Sequence, residues 1–311
     1  MRNSKEISKN ILATVAYYDV FSYPLTPFEV WKYLMNSDYY DEGKRSDVGL
    51  HEVLHELRQE PLIRFIEEKN GFYFLKGRQD LVEERIMKSK ISFSKAKRLQ
   101  AMVSLIRCVP FVRMIGITGR LAMKSAQLKS DWDLLIVLES GHIWMGRTLV
   151  TLVTHLVGKR RHKSKIKDRV CLNYFLAKGS MEISTKDLYS ANEYFFMQPV
   201  FGFETYRSFQ LKNRWIRSIK PHYMPSEIEP VNMVHDNAFS GTVRSLGEKL
   251  LGFAFLERIL CDLEKRKIMR NPKTHQEGSF IKASDDALVF LPELKGPRIF
   301  DEFKKKIESL G

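Results

Sequence analysis

Residues 118–137 read TGRLAMKSAQLKSDWDLLIV, and the chain is read outward from them. The apolar run FVRMIGI (111–117) just before them predicts a short buried strand. Gly119 ends that strand in a tight turn, where the lack of a side chain lets backbone approach a ligand. Leu121, Ala122 and Met123 then begin a short helix whose first amides can face phosphate. Asp131 and Asp133 alternate with Trp132 and Leu134 at the start of a second strand, so both carboxylates fall on one face. Two carboxylates beside a glycine turn suit magnesium and a triphosphate, because magnesium takes one or two carboxylates plus phosphate oxygens. The alternative reading of the acids is local, as turn-forming and strand-capping side chains.

Strand, glycine turn, short helix and Asp-x-Asp strand together resemble the signature of the DNA polymerase beta-like nucleotidyltransferase superfamily. The motif covers about 25 residues, with ten between Arg120 and Asp131. A looser likeness takes in the whole chain. It is similar to a group of bacterial or archaeal proteins with a winged-helix front, this core and a helical tail, and KDRVCLNYFL (167–176) and SDDALVFLPE (284–293) contribute to it. The resemblance implies transfer of a nucleoside monophosphate from a nucleoside triphosphate to an acceptor, which could be nucleic acid or protein. It assigns Gly119 and Arg120 to the phosphates, and Asp131 and Asp133 to Mg2+ or Mn2+. It also implies a third acid on a later strand, to activate the acceptor hydroxyl. VCLNYFLA (170–177) is that strand; its central polar residue is Asn173, and Asp168 just ahead is the candidate acid.

Two departures keep a second function open. Arg120 stands where the family has Ser or Gly, and Lys124 where a small residue is common. Both cations can meet phosphate, or Arg120 can fill the nucleotide site. The alternative is a catalytically degenerate regulator that binds nucleotide, or binds DNA through its N-terminal unit. The segment 158–169 (GKRRHKSKIKDR) adds seven Lys/Arg and one His, either to guide polyanions or as a solvated loop.

Toward the N-terminus, Ile7, Ile11, Val15 and Tyr18 recur at helical spacing. Thr26-Pro27-Phe28-Glu29 is a helix start with a capping box. Leu50, Val53, Leu54 and Leu57 mark a third helix, and Asn70-Gly71 sets a hairpin within 62–77. Three helices and a hairpin predict a winged-helix domain over 1–80. Its recognition helix would be 47–59, which carries His51, Glu52, His55, Glu56 and Arg58. A linker helix is expected over 81–108, with its basic run solvated, then the nucleotidyltransferase-type core over 109–183. A helical domain is expected over 184–311, including one long helix at 240–269 with Val243, Leu246, Leu250, Phe253 and Leu260 inward. Tyr189, Glu193 and Tyr194 either line a cleft or pack, and Ser284-Asp285-Asp286 caps a helix or makes a turn. The predicted class is α+β: a winged helix, a mixed β-sheet with flanking helices, and a helical C-terminal region.

Composition narrows the setting. The chain has 311 residues, 44% of them hydrophobic and 28% charged, a globular balance. A net charge of +14 attracts polyanions without saying which. Cys108, Cys171 and Cys261 lie far apart with no CxxC pair, against a zinc site or disulfide framework. The apolar stretch 143–157 is too short to span a bilayer and contains Arg147 and His155. The polar N-terminus shows no leader pattern, so a cytoplasmic location is expected. Phosphate-loop, HExxH and GxSxG motifs are absent.

Overall fold

The computed structural model describes residues 4–36, 48–162 and 165–310. Residues 37–47, with the first position of the expected recognition helix, and Lys163 and Ser164 of the basic segment lie outside the described residues.

Three helices open the chain: α1 (Ser4–Val20), α2 (Pro27–Lys32) and α3 (Leu50–Glu56). The capping box forms. Thr26 Oγ1 accepts from Glu29 N at 3.2 Å, and the Glu29 carboxylate accepts from Thr26 N at 2.9 Å. The hairpin β1 (Ile66–Lys69) and β2 (Phe72–Leu75) turns on Asn70 and Gly71, both at positive φ. α3 is shorter than the expected 47–59, and its acids work locally. Glu52 accepts from Gly49 N, while buried Glu56 accepts from the Ser4 and Ser8 hydroxyls. This unit is not insulated from the rest of the chain. Tyr17, Tyr18 and Leu25 belong to the same apolar core as the central sheet, and Tyr18 donates to Asn192 Oδ1 at 2.6 Å.

The long helix α4 (Leu81–Ile106) follows. Its basic run is only in part the solvated face expected: Lys90, Lys97 and Arg98 are exposed, but Arg85, Lys88 and Lys95 are buried. Arg85 pairs with Glu29 at 2.9 Å over the Tyr23 ring. The helix also holds the loop that runs from the glycine turn to the acidic strand. Arg85 donates to Lys124 O, Ser92 Oγ accepts from Ala126 N, and Lys95 Nζ donates to Ser130 O at 2.8 Å. The sequence-distant helix thus sets where the acids emerge.

The remaining elements in order are β3 (Val112–Ile117), α5 (Gly119–Ala122), β4 (Trp132–Leu138), α6 (Ile143–Leu156), β5 (Val170–Ala177), α7 (Leu188–Phe196), β6 (Gln198–Phe201), α8 (Phe203–Lys212), α9 (Ile216–Ile219), α10 (Ala238–Leu251), α11 (Ala254–Met269), β7 (Phe280–Ala283), β8 (Ala287–Leu291) and α12 (Lys295–Leu310). They build an α+β fold around one mixed six-stranded sheet of order β6-β3-β4-β5-β8-β7. β4 and β5 are parallel and joined through α6; the other pairs are antiparallel. The region 184–311 is therefore not wholly helical, since it supplies three of the six strands. Ser284-Asp285-Asp286 is the turn between β7 and β8, with Ser284 Oγ accepting from Ala287 N. The expected helix 240–269 breaks at Gly252 and Phe253, where the Phe253 backbone is extended. Among the described residues no helix is long and apolar enough to cross a membrane.

Candidate functional site

β4 lies inside the sheet, with β3 on one side and β5 on the other. Trp132 and Leu134 are fully buried on one face of the strand, which fixes the register and turns Asp133 the other way. Asp131, one residue ahead of the strand, falls on the same side as Asp133. Their carboxylate oxygens and Cys171 Sγ all lie within 4.8 Å of one another. Cys171 arrives through strand pairing, directly opposite Asp133 on β5.

Gly119 makes the space for this cluster. It sits at φ 63°, a left-handed conformation, and a Cβ there would stand 2.7 Å from Asp133 Oδ2. Glycine is required on both counts. Arg120 and Lys124 are exposed on the turn and loop that follow, Lys124 itself at positive φ. α5 is a single turn, so the short helix expected after the glycine is present but brief.

The electrostatics concentrate negative charge at this point. Burial, then the Asp131 charge and Glu193, push Asp133 up to about 6. Among the described residues no donor hydrogen-bonds its carboxylate. Asp131 Oδ2 is also buried, and the partner it has is itself a cation: Arg161 Nη1 forms an ion pair with it at 2.7 Å. For Asp133, a buried carboxylate without a donor is costly. Two such carboxylates side by side suit a hard divalent ion. Burial pushes the Cys171 thiol up to about 12, and the two aspartates add to the effect. The thiol therefore stays protonated and is a poor ligand for magnesium.

Asp168 is not brought into this cluster. It occupies a left-handed position in the turn before β5, with its carboxylate 2.7 Å from Lys95 and 3.4 Å from Arg98. Burial alone would raise its pKa, but the Lys95 hydrogen bond and the two charges outweigh burial and hold it low. The Lys95 side chain is fully buried, so Asp168→Asn leaves its ammonium without a counter-charge. Denaturant unfolding should show a loss of about 3 kcal/mol, the scale of a broken buried pair.

A narrow cleft of about 70 Å³ opens beside Asp133, lined also by Thr118, Asn173, Tyr189, Glu193 and Lys295. Glu193 on α7 lies beside Tyr189 in the same helix, and its carboxylate helps burial push the Tyr189 phenol up. All three α7 residues read as cleft or packing line the cleft: Tyr189 and Glu193 are partly buried, and Tyr194 is also buried against Tyr174 and Phe209. Glu193, named in the sequence as cleft or packing and not as the third acid, brings a further carboxylate to the cleft. Its only sequence signal was a carboxylate on the inward face of a helix. A larger cavity of about 270 Å³ lies at the other end of β3, but its charged residues are paired internally, Arg113 to Glu248 and Arg244 to Asp236.

Compared with family models, curated proteins and solved structures, the chain has no significant match.

Proposed function

We propose that the chain is a metal-dependent nucleotidyltransferase, moving a nucleoside monophosphate from a nucleoside triphosphate to an acceptor hydroxyl. One observation carries this reading: Asp131 and Asp133 emerge together at the end of one central strand, against a left-handed glycine and beside a cleft. Arg120 and Lys124, both exposed on the turn and loop after Gly119, would meet the triphosphate. Magnesium or manganese held by the two aspartates would neutralise charge on the triphosphate and the departing pyrophosphate. Glu193 is placed on the cleft wall to take the proton of the acceptor hydroxyl. The acceptor oxygen then bonds to the α-phosphorus as the bond to pyrophosphate breaks. Asn173 and Tyr189, among the polar residues that line the cleft, would orient the acceptor, a nucleic acid or protein hydroxyl. A cytoplasmic setting goes with this reading. Purified protein should release pyrophosphate with magnesium or manganese and one of the four nucleotides over an acceptor panel. No release under any combination counts against turnover.

Arg161 favours a second reading. Its guanidinium already stands on Asp131, where a cation would be. A chain that keeps it there binds nucleotide, or binds DNA through residues 5–80, without catalysis. That reading expects salt-sensitive duplex binding that survives Asp131→Ala; no duplex binding at low salt removes it.

A further inference from the structure

α10 and α11 are built inside out. Their polar side chains face the body of the protein. Arg244 pairs with Asp236 and donates to Arg107 O, and Glu248 pairs with Arg113 and accepts from Phe111 N. Glu257 accepts from Trp144 N and Met145 N at the start of α6, and Glu264 pairs with Arg147. Of the apolar stripe expected to face the core, Leu260 packs against it, while Val243, Leu246, Leu250 and Phe253 face out. Phe239 is 73% exposed, Leu250 62% and Phe255 70%, with Leu246, Phe253 and Leu263 also more than half exposed. An ordinary surface helix has the reverse arrangement.

We propose that this face mates with the same face of a second copy of the chain. Positions 239, 243, 246 and 250 of α10 step by four, three and four, the spacing by which one helix packs along another. With whole phenylalanine side chains near ~200 Å², the exposed apolar side chains of the two helices offer on the order of 900 Å². That matches the roughly 800 Å² each partner buries in a standard interface, and exceeds ordinary surface patches of a few hundred Å². Charge supports self-pairing. Arg258 and Asp262 are both exposed on α11, four residues apart and of opposite sign. A two-fold axis between antiparallel copies of α11 sets each against its opposite in the other copy. Lys249, also exposed here, has an aliphatic stem long enough to carry its ammonium to the rim.

Light scattering on the eluting full-length chain, with sedimentation across a concentration series, tests this. A dimer is expected. Leu246→Glu with Leu250→Glu should raise its Kd at least about a hundredfold while circular dichroism and Tm stay unchanged. Should that pair perturb folding, charge exchange decides. Arg258→Asp alone should weaken the dimer, and adding Asp262→Arg should restore it. The proposal is overturned by a wild-type monomer at about 100 μM, or by a dimer indifferent to the Glu pair. A monomer that floats with phosphatidylcholine–phosphatidylglycerol vesicles would also overturn it, and would assign the face to a lipid surface.

Discussion

Asp133→Asn should abolish nucleotidyl transfer, by at least about a thousandfold, and at the same time stabilise the metal-free protein at neutral pH. The two effects share a cause. With its folded-state pKa near 6 against an ordinary 3.8, the Asp133 carboxylate is held where its charge is unwelcome. Because the folded value is raised, the penalty is absent while the group is protonated in both states. It grows as pH rises from about 3.8 through about 6 and is fully present above that. The shift corresponds to at most about 3 kcal/mol. Metal-free Asp133→Asn should therefore melt several degrees above wild type at pH 7.5 and show no advantage near pH 4. Manganese should raise the wild-type Tm and leave the variant unmoved. A variant less stable than wild type at pH 7.5 would mean that Asp133 is a structural acid.

Gly119→Ala should cripple the site through geometry alone. Alanine at φ 63° carries a left-handed penalty of about 1–2 kcal/mol. Its Cβ would also meet Asp133 Oδ2 at 2.7 Å, so the carboxylate has to move away from Asp131. Activity should fall at least about a hundredfold, since misplacement by an ångström is enough for that. Gly141→Ala is the control. Gly141 also has a positive φ, 78°, but a Cβ there meets nothing within 4 Å. It should show the backbone penalty without the loss of activity. Equal activity in the two variants would place the chemistry elsewhere.

The sequence was most legible where local chemistry decides. The Thr26 capping box, the Asn70-Gly71 hairpin, the strand into Gly119 and the shared side of Asp131 and Asp133 each rest on a few adjacent residues, and each forms. Outcomes set by distant partners were not legible. β6 is four residues long and contains Pro199, which argues against a strand; as the edge strand of the sheet it tolerates a residue without an N–H. The basic run of α4 reads as solvated until Glu29, Asp168 and two backbone carbonyls arrive from elsewhere in the chain. Helical periodicity located the stripe through Leu246 and Leu250 but says only that a helix has an apolar face, not what covers it. Asp168 was favoured because it precedes the right strand, yet a left-handed turn and Lys95 turn its carboxylate to α4. Glu193 reaches the cleft from a helix after the strand that was searched.

Manganese titration followed by paramagnetic resonance, with and without a nonhydrolysable triphosphate, addresses the acid pair most directly. Wild type should bind the ion, more tightly with the triphosphate, and Asp131→Ala and Asp133→Asn should each lose that binding while remaining folded. Wild-type protein that binds no manganese with the triphosphate present, or binds it undiminished in both variants, contradicts the assignment of Asp131 and Asp133 to the metal.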